Sequence, residues 1–172
     1  MRSRRQVVLL FLIFCMALEA DVAGCACDPA IPKTMQAREC SLCNEAEKQA
    51  EGQEVFLLKD NNPRKPNRWL ALPRAHGRVG HPMHELGRDV QTRLWKAAIA
   101  KGKELWGDGW GLAYNGAKVR TQCHGHIHIG KLLSGLAPGK YIDVAGPEQI
   151  SIPDDATGIW VHPVGNKLRV HY

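Results

Sequence analysis

Apolar and polar residues follow two different rhythms along this chain, and each rhythm predicts an element. Glu54 to Lys59 and Trp69 to Leu72 are short apolar runs separated by the proline-bearing turn Asp60-Asn-Asn-Pro63-Arg-Lys-Pro66. They predict two strands of an antiparallel pair, the second ending where Pro73 withdraws a backbone donor. From Met83 to Trp106 the period lengthens. Leu86, Val90, Leu94, Ala97, Ala98 and Leu105 recur near helical spacing and predict an amphipathic helix of about six turns. Gly87 and Gly102 lower its local propensity without breaking the pattern. Trp110 to Asn115 and His124 to Gly130 return to a strand rhythm, and Gly158 to Val164 with Lys167 to His171 predict a hairpin around Gly165-Asn166. Met35 to Ala50 is polar, made of helix formers, and predicts a short helix. The sum is α+β, an antiparallel sheet with one long helix packed across it.

The N-terminal residues stand outside that pattern. Three arginines among residues 2 to 5 precede the nearly unbroken apolar run Val7 to Leu18. This is the layout of a signal peptide, too short for a membrane span of roughly 20 residues. Val22-Ala-Gly-Cys25 is similar to a bacterial lipobox, which would leave Cys25 lipidated. Glu19 and Asp21 lie between the apolar run and that box, so simple cleavage after Ala20 is the competing reading. Residues 1–24 are therefore assigned to export, 25–36 to an N-terminal tether and 37–172 to the folded domain. The expected location is outside the cytoplasm, periplasmic or lipid-anchored to a bacterial membrane.

Charge narrows the partners. The formal net charge is +6, which suits an anionic phosphate substrate or an anionic membrane face. No basic run carries interleaved aromatics, which argues against nucleic acid. There is no internal repeat and no low-complexity segment. Removing the signal peptide leaves Cys25, Cys27, Cys40, Cys43 and Cys123. Outside the cytoplasm these are candidates for disulfides. Cys40-x-x-Cys43 also has the spacing of half a zinc site, whereas a redox role is disfavoured because no βαβ pattern surrounds it.

The strongest chemical signal is His124-Gly-His126-Ile-His128-Ile-Gly130. In a strand, residues two apart share a face, so three imidazoles form a row while Ile127 and Ile129 pack behind. On a helix the rings would scatter by about 200° per step. The row is read as a working surface, with a plain metal site on alternate histidines as the competing reading.

Taken with the upstream Asp60, its two prolines, the short strand and Pro73-Arg-Ala-His76, the row resembles the histidine-triad superfamily of nucleotide hydrolases and transferases. The resemblance covers roughly residues 40 to 130, with Asn115-Gly116 matching that family's Asn-bearing strand end. Leu57-Leu-Lys-Asp60 and Arg120-Thr-Gln122-Cys-His124-Gly-His126-Ile-His128-Ile are similar to stretches of the CDP-diacylglycerol pyrophosphatase family. Three departures are the shorter chain, the Pro-x-x-His at His76 typical of the soluble branch of the superfamily, and Gly125, where a larger apolar residue is usual.

The resemblance implies a mechanism. His126 would attack an α-phosphorus to give a nucleotidyl-histidine that water then hydrolyses. His128 would orient the site and move the proton of the leaving group, and His124 would share that task or ligate zinc. Asn115 and Gln122 would hydrogen-bond phosphate oxygens. Asp60 would accept from ribose hydroxyls, or would be a turn residue bonding its own backbone before Pro63. A structural zinc on Cys40, Cys43, His76 and His124 is implied as well, with no organic cofactor. The substrate is then a nucleotide or lipid-nucleotide, CDP-diacylglycerol yielding CMP and phosphatidate being one expectation. Dinucleoside polyphosphates, nucleoside phosphoramidates and a non-catalytic metal- or nucleotide-binding lipoprotein are the alternatives. Arg120 and Arg64-Lys65 are expected to steer a lipid pyrophosphate, and a homodimer is in keeping with the family. His162, His171, Trp160 and Trp106 are read as packing or surface residues.

Overall fold

A computed structural model of the 172-residue chain describes residues 22, 24–75, 83–134 and 139–172. The signal-peptide run and His76 lie outside the described residues. Seven strands, β1 (Val55–Lys59), β2 (Trp69–Pro73), β3 (Trp110–Tyr114), β4 (Ile127–Lys131), β5 (Tyr141–Val144), β6 (Ile159–Val164) and β7 (Lys167–His171), form one sheet. Their order is β1-β2-β4-β3-β6-β7-β5, and every neighbouring pair is antiparallel. The α+β expectation stands. Tyr141–Val144 is a strand that the sequence pattern did not announce.

The long helix α2 (Arg88–Trp106) crosses one face and packs against β1 to β4. It begins later than the pattern predicted, because Gly87 is the extended residue that precedes it and Met83–Glu85 form a separate single turn. Its buried stripe is Gln91, Leu94, Trp95, Ala98, Ile99 and Gly102, a regular three-and-four spacing. Leu105, expected inside, is exposed. Gly102 explains the rotation of the stripe: a Cβ there would stand 2.9 Å from Cβ of the fully buried Trp110. The helix therefore closes on the sheet through its smallest residue.

Beneath α2 lie Ala71, Leu112, Tyr114, Ile127, Ile129, Ile159, Val161 and Val170, the inward positions of five strands. Ile150 and Ile152, buried in the segment before β6, belong to the same cluster. Burying aliphatic side chains of this size contributes about 1.5–3 kcal/mol each. The opposite face is covered only at one end. There α1 (Ser41–Glu47) lays Leu42 and Ala46 on Phe56, Leu70 and Leu72, so β2 is buried on both faces. Past β2 this second face opens, and the triad sits at its border. Among the described residues no helix is long and apolar enough to cross a membrane.

Candidate active site

β4 begins at Ile127, later than predicted, so His124 to His126 form an irregular lead-in rather than strand. Several ties replace the missing ladder. Cys123 donates its N–H to the Glu39 carbonyl at 2.8 Å and is disulfide-bonded to Cys25. Gln122 accepts from the Ser41 hydroxyl at 2.7 Å and donates to the Arg38 carbonyl at 3.2 Å. Both ends of its amide are thus engaged against the α1 end of the chain. That corrects the phosphate-binding expectation for Gln122: its job is to fasten the lead-in.

Arg120 is corrected in the same way. It is buried, with its guanidinium on the Asp155 carboxylate at 3.0 Å, the Tyr114 hydroxyl at 3.0 Å and the Gln122 carbonyl at 3.1 Å. A group locked in this manner cannot steer substrate from solution. It braces the loop before the triad against the C-terminal segment. Gly116 sits in that brace, where a Cβ would stand 2.1 Å from the Ala156 carbonyl oxygen. Gly116→Ala must push backbone apart, and the expected cost is about 1–3 kcal/mol. Urea unfolding checks this; an unchanged midpoint would mean that the loop and the segment around Ala156 are not pressed together.

Two of the three histidines converge. The rings of His126 and His128 stand edge to face with centroids 4.6 Å apart. His126 Nδ1 lies 2.8 Å from the His124 carbonyl oxygen. A carbonyl only accepts, so Nδ1 carries the proton and Nε2 bears the lone pair. His124 points elsewhere: its Nε2 donates to the Pro73 carbonyl at 2.7 Å, tying the lead-in to the end of β2. His128 Nε2 faces the Asn115 amide nitrogen at 3.3 Å, while its Nδ1 is buried without a hydrogen-bond partner among the described residues.

Burial governs the charge of this pair. It pulls the His126 pKa down to about 4, with the Arg120 and Arg68 charges adding to the effect. Burial and the neighbouring His126 pull His128 further, to about 2. Both rings are neutral at pH 7, which leaves Nε2 of His126 nucleophilic. Stability should respond to acid. As pH falls below about 6.5, the unfolded chain takes up protons that the folded one refuses until pH approaches 4 for His126. His126 alone should then cost about 2 kcal/mol between pH 7 and 5. Urea unfolding at the two pH values measures it, and His126→Asn should flatten the slope.

His128 and Asn115 line an open cavity of about 640 Å³ on the exposed sheet face. Gly111, Ala113 and Gly130 form part of its lining, together with the apolar Leu132 and Leu133 and the outward ring of Trp160. Lys65 and Arg68 supply its cations. Asp60 is drawn into that lining indirectly. It forms an ion pair with Arg68 and accepts from the Asn62 N–H at 2.9 Å, so the turn role holds and Arg68 claims the other oxygen. Lys65, Arg68 and Trp160 were not singled out from the sequence as lining one site. Trp160 was legible as an outward residue between inward Ile159 and Val161.

Among the described residues the expected zinc ligands are not free to converge. Cys40 is disulfide-bonded to Cys27, so it offers no thiolate. Cys43 is a buried thiol raised to about 12, chiefly by burial, and His76 lies outside the described residues. Cys27, Cys40 and Cys123 do bring their sulfurs within 4.8 Å of one another, a buried group that could hold a metal ion. The same sulfurs are occupied in disulfides, which makes the two states alternatives. The Cys25–Cys123 bond also excludes a lipid thioether on Cys25. Residues 25–36, expected as a tether, are held by both disulfides and bury Met35. No protein-family model matches the chain, and a comparison with curated proteins finds no match.

Proposed function

We propose that this chain is an exported hydrolase of the histidine-triad type that cleaves the phosphoanhydride of a nucleotide conjugate. The observation that carries the reading is the His126–His124 carbonyl bond, which fixes a neutral ring with its lone pair on Nε2. In the proposed reaction Nε2 attacks the α-phosphorus, the bond to the leaving phosphate oxygen breaks, and a nucleotidyl-histidine forms. Water then attacks that phosphorus, the P–N bond breaks, and a nucleoside monophosphate leaves. His128 holds the Asn115 amide at the cavity through its Nε2, and that amide donates its second N–H to phosphate oxygens as charge develops. The exposed Lys65 takes the steering role expected of Arg120 in attracting the pyrophosphate, beside Arg68, whose charge Asp60 balances.

Two disulfides favour an oxidising compartment such as the periplasm, and with Cys25 oxidised the anchor reading gives way to plain cleavage. Zinc on Cys40, Cys43, His76 and His124 would require the Cys27–Cys40 bond to open, and no step of the reaction uses it.

The apolar side chains of Leu132, Leu133 and Trp160 in the lining support an apolar group beyond the phosphates, as in CDP-diacylglycerol. The test compares kcat/KM on CDP-diacylglycerol in mixed micelles with that on dinucleoside polyphosphates and nucleoside phosphoramidates. Release of CMP and phosphatidate is the expected result. A tenfold preference for a soluble nucleotide, about 1.4 kcal/mol of transition-state binding, would overturn the lipid assignment. No nucleoside monophosphate from any of them would overturn the hydrolase itself.

A further inference from the structure

A second pair of histidines stands on the same open face, away from the triad. His162 on β6 and His171 on β7 approach each other through their Nε2 atoms at 3.1 Å. We propose that this pair is a transition-metal site, binding one divalent zinc, nickel or copper ion between the two Nε2 atoms. With metal–nitrogen bonds of about 2.0–2.1 Å, a separation of 3.1 Å subtends about 98° at the ion. That angle lies between the right angle of an octahedral site and the wider one of a tetrahedral site; the rings now meet nearly head-on, with centroids 5.2 Å apart, so the half-buried His162 ring turns to aim its lone pair at the ion.

The surroundings prepare the pair for this role. His162 Nδ1 lies 3.1 Å from the Pro163 carbonyl oxygen and must donate to it, which leaves the lone pair on Nε2. Metal-bound imidazoles are usually fixed in that way by a carbonyl on the far nitrogen. His171 is 5% exposed and is clamped by Trp160, whose ring lies flat on it at 3.7 Å and 9°. Its Nδ1 is buried and has no hydrogen-bond partner among the described residues. The ordinary reading is that the two rings share one proton. That proton sits on Nε2 of His171; on binding it moves to Nδ1 of the same ring, and the ion takes its place with water completing the coordination.

Charge permits a cation here. Arg169, the cross-strand partner of His162, carries the opposing charge, but it is neutralised by Asp143 through bonds of 2.8 and 2.9 Å. Trp160 also lines the cavity beside His128, so an ion at His171 would stiffen one wall of the candidate active site. The metal site itself does not depend on the hydrolase reading.

The experiment uses the oxidised, tag-free chain, since an affinity tag would chelate the same ions. Nickel(II) is titrated by calorimetry, and copper(II) by tryptophan fluorescence. We expect one nickel per chain at micromolar affinity, and quenching of the part of the emission that Trp160→Phe removes. His162→Gln and His171→Gln should each weaken nickel binding at least tenfold. His162 is only half-buried, so its variant keeps the test informative if His171→Gln fails to fold. Absence of binding up to millimolar nickel, or His162→Gln binding as tightly as the parent, would overturn the proposal. Loss of binding in His126→Asn with His162→Gln unaffected would place the ion at the triad and overturn it equally.

Discussion

His126→Asn is expected to lower turnover of the nucleotide conjugate at least about a thousandfold, equivalent to ~4 kcal/mol of transition-state stabilisation. Asparagine is the informative replacement because His126 is buried at 4% exposure, and alanine would open a void as well as remove the nucleophile. An asparagine amide can still donate to the His124 carbonyl that now holds Nδ1. The fold should therefore survive, to be checked by a thermal melt within a few degrees of the parent. Mass spectrometry of the parent quenched at neutral or alkaline pH should find a nucleotidyl adduct on His126, since phosphorus–nitrogen bonds are lost in acid. Substantial turnover by the asparagine variant would sink covalent catalysis at this residue. His128→Asn should cost less, because it removes the group that positions the Asn115 amide and not the attacking atom.

The second large effect concerns sulfur. Cys123→Ser should destabilise the chain by about 3–5 kcal/mol, since the bond to Cys25 spans 98 residues and the constraint on the unfolded chain grows with the loop closed. In a chain of this size that corresponds to a melting temperature lower by roughly 10–15 °C. Cys27→Ser, which opens a separation of only 13 residues, should cost less, about 3 kcal/mol. The companion measurement is a thiol titration in denaturant of the chain processed before Cys25. One reactive thiol, that of Cys43, is expected. Five thiols with one equivalent of zinc would establish the metal form in place of the bridges. Activity should fall with Cys123→Ser too, because Cys123 fastens the lead-in that carries His124 and His126.

Local rhythm was enough to read six of the strands and the long helix. Alternation such as Ile127/His128/Ile129 leaves one face apolar whatever lies above it. β5 escaped because Tyr141-Ile-Asp-Val144 is an edge strand with three exposed residues, whose place is set by pairing with β7. The start of β4 was misjudged for a related reason. Alternation continues through His124 and His126, but the lead-in is held by the Cys123 N–H on the Glu39 carbonyl and by the His124 ring on the Pro73 carbonyl, and not by a strand ladder. In the candidate site, His126, His128 and Asn115 were identifiable as chemistry-bearing types in a fixed spacing. Gln122 and Arg120 were not readable correctly, because their partners Ser41, Arg38 and Asp155 lie far away in sequence. The cysteine pairing was equally hidden: Cys40-x-x-Cys43 looks like a unit, yet Cys40 turns to Cys27 and leaves Cys43 alone.

The order of the cysteines along the chain has a consequence for biogenesis. If the chain is exported as proposed, Cys25, Cys27, Cys40 and Cys43 all emerge from the translocation channel long before Cys123 does. The short Cys27–Cys40 bridge is available early, but the partner of Cys25 arrives 98 residues later. During that interval Cys43 is the decoy, an unpaired thiol within easy reach of Cys25. Oxidants that act vectorially would trap Cys25–Cys43, and reaching the native pairing would then need reshuffling on a scale of seconds to hours. A protein built in this way is a client for a disulfide isomerase, and Cys43→Ser should release it from that dependence.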